Sequence, residues 1–202
     1  MEHTFSSTVT PTGIDYDEVY VYAMEMTSRD ALGCAFGTPY EIMDYNENGT
    51  TTYSRYSPAD CWVTNTTTGE DTIFENKART DVHIDTYEDG FFNAAKTAKL
   101  SALQKRHPGK KIFGALLYPL DKSIVIYPLE ILKNFPTKKV LAYNPDKGKY
   151  TWETNHLVPV SDIDRVHNAG GVVRHWKGCD WSELYSYNEK IGIELSERGL
   201  LS

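Results

Sequence analysis

The chain reads as an α/β protein. Apolar residues at helical spacing mark segments near 15–32, 91–106 and 180–198. Interleaved with them are paired runs of Val, Ile, Phe, Trp, Tyr and Thr, split by turn residues as in β-hairpins, at 60–77, 111–127 and 138–155. With 202 residues and 40% hydrophobic content, one domain with an ample core is expected.

Residues 1–14 are rich in Ser and Thr with Pro11 and Gly13, and are expected to form a poorly ordered arm ahead of a single domain, 15–202. Asp15 or Asp17 can cap a helix running to about Leu32 and closed by Gly33. The density of Tyr, Val and Met across Val19–Met26 would also suit a strand. As a helix it sets Glu18, Glu25 and Arg29 near one face, where Glu25 and Arg29 could form an i,i+4 pair. Tyr40–Asp44 reads as a short strand, Asn46-Glu47-Asn48-Gly49 as a turn and Thr50–Tyr56 as the return strand. Tyr53, Arg55 and Tyr56 there could reach a backbone phosphate or be ordinary strand surface.

The central hairpin is Asp60-Cys61-Trp62-Val63-Thr64-Asn65, a Thr/Gly turn, then Thr72-Ile73-Phe74-Glu75-Asn76-Lys77. With Thr68 and Gly69 as the central turn residues, Asp60 falls opposite Lys77 and Trp62 opposite Glu75. Opposed residues share a face, as do residues two apart. Asp60, Glu75 and Lys77 then converge, and moving the turn centre by one residue preserves the grouping. Two carboxylates suit Mg²⁺, a hard cation that keeps several waters. A lysine beside them can orient or deprotonate a water, or offset charge on a phosphate oxygen. A strand bearing an exposed Glu–Lys pair, with a turn-initiating Asp, has the same letters.

These residues resemble the PD-(D/E)XK nuclease superfamily, with Pro58-Ala59-Asp60 as the first half of its motif and Glu75-Asn76-Lys77 as the second. The likeness spans roughly residues 17–130. After Arg79-Thr80 comes an acidic loop, Asp81 to Asp89, then a helix from about Phe91 to Arg106 ended by Pro108-Gly109, then the strand Ile112–Tyr118. Asn76 is polar where the superfamily usually carries an apolar residue. The resemblance implies a restriction-endonuclease-like core, a mixed sheet of about five strands flanked by helices. It also implies metal-dependent phosphodiester hydrolysis of nucleic acid, DNA foremost, as in restriction, repair, recombination and phage or mobile-element nucleases. Asp60 and Glu75 would hold Mg²⁺ or Mn²⁺ with the Asn76 carbonyl, and Glu25 on the first helix would complete the metal site. Lys77 would position the attacking water. Lys96, one turn beyond Phe92, would support the carboxylates. The resemblance leaves a homodimer open. The competing class keeps the scaffold without catalysis and binds nucleic acid or a protein.

Further on, Lys111–Tyr118 and Ser123–Tyr127 form a hairpin, and Pro128–Phe135 suggests a short helix. Lys138–Tyr143 and Lys149–Asn155 pair around Pro145-Asp146-Lys147-Gly148. Asp180 caps a last helix with Leu184, Tyr187, Ile191 and Leu195 as its buried stripe. Lys96, Lys99, Lys105, Arg106, His107, Lys110 and Lys111 cluster as a phosphate-binding stripe or a solvated helix face. The loop acids Asp81, Asp85, Glu88 and Asp89, with His83, could add a metal ligand or be solvated. Asn155-His156, Asn168 and His175 faintly resemble the HNH nuclease pattern, and His167, His175 and Cys179 could ligate zinc without an evident fourth partner.

The net charge of −7 counts against a protein that coats DNA non-specifically, though basic residues can still gather on one face. Cys34, Cys61 and Cys179 are odd in number and widely spaced, without a Cys-x-x-Cys, which indicates neither a disulfide framework nor a cysteine-rich zinc site. No apolar run is long enough to span a bilayer, and Met1-Glu2-His3-Thr4 lacks a signal-peptide pattern, so a cytoplasmic location is expected.

Overall fold

The computed structural model describes residues 14–45, 57–144 and 149–201. The expected N-terminal arm, the 46–49 turn, the 50–56 return strand with Tyr53, Arg55 and Tyr56, and the 145–148 turn lie outside these residues. The chain is α/β, with a mixed central sheet flanked by helices.

Helix α1, Tyr16–Phe36, starts where the Asp15 side chain accepts the amides of Asp17 and Glu18. It passes through Gly33 and stops at Gly37, whose φ of 62° only glycine adopts readily. Gly33 is thus not the stop. A Cβ there would make only ordinary contact with Ile42, at 3.4 Å, and the helix gains a further turn. Strands β1 (Tyr40–Asp44), β2 (Cys61–Asn65) and β3 (Glu70–Ala78) follow in antiparallel succession. The β2–β3 register sets Trp62 opposite Ile73 and Asn65 opposite Glu70, not Trp62 opposite Glu75. The turn explains the difference. The Asn65 side chain accepts the amides of Thr67 and Thr68, and Gly69, at φ 70°, donates to the Asn65 carbonyl, closing a loop over 66–69.

Residues 91–93, expected to open a helix, belong to strand β4 (Asp89–Asn93) instead, and helix α2 (Ala94–Arg106) begins once Asn93 caps it. Strand β5 (Lys111–Tyr118) runs parallel to β3, and β6 (Ser123–Pro128) returns antiparallel. Then come a single helical turn α3 (Leu129–Leu132), strands β7 (Thr137–Asn144) and β8 (Lys149–Pro159), and α4 (Ile163–Asn168). Strand β9 (Val172–His175) and α5 (Trp181–Glu197) complete the described elements. Six strands pair in the order β1-β2-β3-β5-β6-β9, and a second sheet pairs β4-β8-β7. The main sheet therefore exceeds the five strands expected, and the β7–β8 hairpin pairs with β4 rather than joining it.

Neighbouring residues of the central strands serve opposite cores. Ile73 packs with Phe92, Leu100, Leu103, Leu116 and Leu132 under α2 and α3. Phe74 packs on the other face with Leu32, Leu117, Ile124 and Trp176. On that second face α1 and α5 pack together through Val19, Tyr22 and Met26 against Ile191 and Leu195. Tyr187, expected in the buried stripe, is 63% exposed, and Asn188 and Gly192 take the buried positions. Asn188 donates to Asp30 at 2.9 Å and to Thr27. A Cβ on Gly192 would come within 3.0 Å of the Tyr22 ring, so only a small residue permits this approach.

Cys34 and Cys179 are joined as a disulfide, contrary to the expectation from spacing, because the end of α1 lies beside the segment entering α5. No described helix is long and apolar enough to cross a membrane.

Gly114 on β5, paired with Glu75, sits where a Cβ would meet Leu132 at 2.7 Å and the Phe92 ring at 2.8 Å. Gly114→Ala should cost about 1–3 kcal/mol through overpacking. Urea unfolding should show a lower midpoint at unchanged slope, and a midpoint equal to wild type would contradict this account of the core.

Candidate active site

Asp60 stands just before β2, where the chain is held from both sides. Its amide donates to the Phe74 carbonyl and its carbonyl accepts from the Tyr45 amide, each at 3.0 Å. Past Cys61, β2 no longer pairs with β3, and the Asp60 carboxylate replaces the missing strand by accepting the Asn76 amide at 2.5 Å. Continuing the β2–β3 register one step sets Asp60 across from Glu75. The observed pairing differs from the expected one by an even slip, so Asp60, Glu75 and Lys77 keep a common face. Glu75 and Lys77, two apart on β3, line one cleft of about 490 Å³ together with Lys96.

Glu75 is 6% exposed. Lys96 Nζ lies 3.0 Å from its Oε1, while Oε2 is buried with no hydrogen-bond partner. Burial, then the negative charges of Asp60 and Glu25, push the Glu75 carboxyl well above its ordinary range against the pull of Lys96. Burial likewise raises Asp60, opposed by the Asn76 amide and by the charges of Lys96 and Lys77. Burial alone would lower Lys96, but Glu75 and Asp60 hold its ammonium above the usual value. The site is thus a pair of strongly desolvated carboxyl groups, with one cation from α2 beside them. Lys96 arrives as expected, though Phe92 belongs to β4 and the phase of α2 is set by its Asn93 cap.

Glu25 lines a small cavity with Asp60 and Ala59 and acts on Glu75 and Lys96 through its charge. Arg29 does not pair with it, turning instead to Asp44 and Asp30. Among the described residues no three His, Cys, Asp or Glu side chains form a group that could hold a metal ion, and of the expected ligands the Asp60–Glu75 pair is the set to weigh. That set fits Mg²⁺ or Mn²⁺. Both side chains offer hard oxygen ligands, the partnerless Glu75 Oε2 has lone pairs to give, and Mg²⁺ needs only one or two carboxylates beside water. The Asn76 carbonyl shares the strand edge from which its amide meets Asp60. Its side chain is buried on the opposite face, donating weakly to Cys61 Sγ.

The other constellations do not assemble. His156 is buried between Thr97 and the Phe135 carbonyl, whereas His175 bonds Ser123 at the far edge of the main sheet. Cys179 is consumed by Cys34, removing it from any zinc set. Among the loop residues, His83 pairs with Asp121 and Asp89 with Arg165. Lys110 and Lys111 pair with Asp71 and Glu70 at the hairpin, away from the cleft. Arg79 is the cleft residue that sequence reasoning did not single out. Its signal was the continued alternation Glu75, Lys77, Arg79 along one strand face. The chain matches no protein-family model and no curated protein.

A folded-state pKa above the ordinary 4.5 means that the folded protein holds the Glu75 proton more tightly than the unfolded chain does. The carboxyl's contribution to stability is therefore lost as pH rises from the ordinary value through the raised one. Glu75→Gln cannot ionise and escapes that loss. In EDTA, its melting temperature relative to wild type should climb as pH rises above the ordinary carboxylate value of 4.5. A difference independent of pH would remove the desolvated carboxylate from this picture.

Proposed function

We propose that the chain is a metal-dependent nuclease that hydrolyses phosphodiester bonds, with DNA as the expected substrate and a restriction-endonuclease-like core as its frame. One observation carries this reading: the Asp60 carboxylate takes the Asn76 amide and its charge bears on neighbouring Glu75, while Glu75 and Lys77 line one cleft and Asp60 lines a separate small cavity with Glu25. Asp60 and Glu75 hold the ion, with the Asn76 carbonyl as a further ligand and Glu25 contributing negative charge from behind. A bound Mg²⁺ or Mn²⁺ supplies Lewis acidity toward the scissile phosphate. Lys77, exposed on the cleft wall, orients the attacking water and steers its proton. Lys96 is a positioning residue: it fixes one oxygen of Glu75 and leaves the other for coordination.

The Lys96–Glu75 bridge also favours a second reading, because it compensates much of the site's charge without a metal. In that reading the protein is an inactive scaffold that binds nucleic acid or a protein partner.

Incubation of single- and double-stranded DNA with Mg²⁺ or Mn²⁺ separates the two. Cleavage should require the metal and fall about 10²–10⁴-fold in Lys77→Ala, the range for losing a group that manages a proton. It should be abolished in Asp60→Ala. Saturating Mn²⁺, at about 100 times its dissociation constant, should stabilise wild type by about 2.7 kcal/mol in thermal melts and Asp60→Ala far less. Absent cleavage, or cleavage that survives both substitutions, would leave the scaffold reading.

A further inference from the structure

The cleft contains more positive charge than the carboxylate pair needs. Lys96 is taken by Glu75, yet Lys77, Arg79 and Lys99 line the same space, and no described carboxylate forms an ion pair with any of them. Arg79 is half-buried. One of its amino groups donates to the Phe91 carbonyl, and burial lowers its pKa against the opposing charges of Tyr118 and Asp81, so the cation is kept desolvated without an ion-pair partner among the described residues. Unpaired cations facing one cavity in a chain of net charge −7 point to an anionic ligand. The other acid lining the cleft beside Glu75, Glu153, accepts a hydrogen bond from the Asn93 side chain at 3.1 Å.

The shape narrows the ligand further. Opposite α2 the cleft is walled by the inner face of the β7–β8 ribbon, through Val140, Ala142 and Glu153. Phe91 lines the same space, half-buried beside Arg79. Glu75 lies at the recessed floor, 6% exposed. A volume of about 490 Å³ is that of a small-ligand pocket, enough for about one or two nucleotides. A duplex presents its phosphates on a stiff convex cylinder and cannot bring one down to that floor. An unpaired strand can bend into the cleft and lay a base on an aromatic ring.

We infer that this cleft is a binding track for an unpaired nucleic-acid strand. Lys77, Arg79 and Lys99 take its phosphates and Phe91 stacks a base, so the substrate of the proposed nuclease is a single strand, a flap or a frayed end. This rests on the nuclease reading for its chemistry and is tested without it.

Fluorescence anisotropy in EDTA, where metal-dependent cleavage cannot occur, would compare a labelled oligothymidine with a blunt hairpin duplex of equal phosphate count. The single strand should bind at least about 10-fold tighter. Phe91→Ala should weaken it about 5- to 100-fold, the span of one lost base stack. Lys99→Ala, an exposed helix position, should weaken binding and reduce the salt slope by about 0.7, the share of one phosphate on single strands. Lys99→Ala carries the test alone should Phe91→Ala fail to fold. Equal or tighter binding of the duplex overturns the inference, as does binding indifferent to both substitutions or no binding at all. Single-strand binding without any Mg²⁺-dependent cleavage would sustain the track while removing the nuclease reading.

Discussion

A strand that stops pairing leaves its neighbour with an amide to satisfy, and here the Asp60 carboxylate takes the amide of Asn76. The substitution has two effects. It completes the hydrogen bonding of β3 where β2 has ended, and it seats an acid next to Glu75 on the face served by α2. Asp60 is held by its amide, its carbonyl and its side chain at once, so it has little freedom to retreat from Glu75. The repulsion and desolvation that result are tolerated because α2 brings an ammonium within 3.0 Å. Two acids kept together under such conditions are what the proposed metal site rests on.

The surrounding architecture serves that arrangement. β3 is buried on both faces before it reaches the site, with Ile73 in one core and Phe74 in the other. Glu75 and Lys77 near its end then line the cleft, joined by Arg79 just past it. The absence of a side chain at Gly114 lets Phe92 and Leu132 close over the β3–β5 pair, bringing β4 and the start of α2 above Glu75. The second sheet extends from β4 and supplies the far wall.

Much of this was legible in the residue order, for reasons that differ from place to place. The Asp60–Glu75–Lys77 grouping survives an error in hairpin register because side chains alternate with period two and the slip was even. The Asp15 cap, β1, β5, β6 and the Asp180 cap follow from local patterns strong enough to resist tertiary context. β4 was not legible: Asp-Gly-Phe-Phe-Asn runs straight into a helical pattern, and only its partner Asn155–Pro159 marks it as a strand. The four-residue β9 depends in the same way on β6. Tyr187 fell on the apolar stripe of α5, but close approach to α1 selects for small or polar residues, so Asn188 and Gly192 face inward. The Cys34–Cys179 pairing carries no signal in spacing, since it depends on where two helices end up.

The docking of α5 on α1 bears on how the chain acquires its shape during synthesis. Thr27 must wait for Asn188, 161 residues later, before that interface can form. Until then Val19, Tyr22 and Met26 have no helix to cover them. Through most of translation the nascent polypeptide therefore carries a sticky, half-finished flank, and such a flank invites chaperones or premature association.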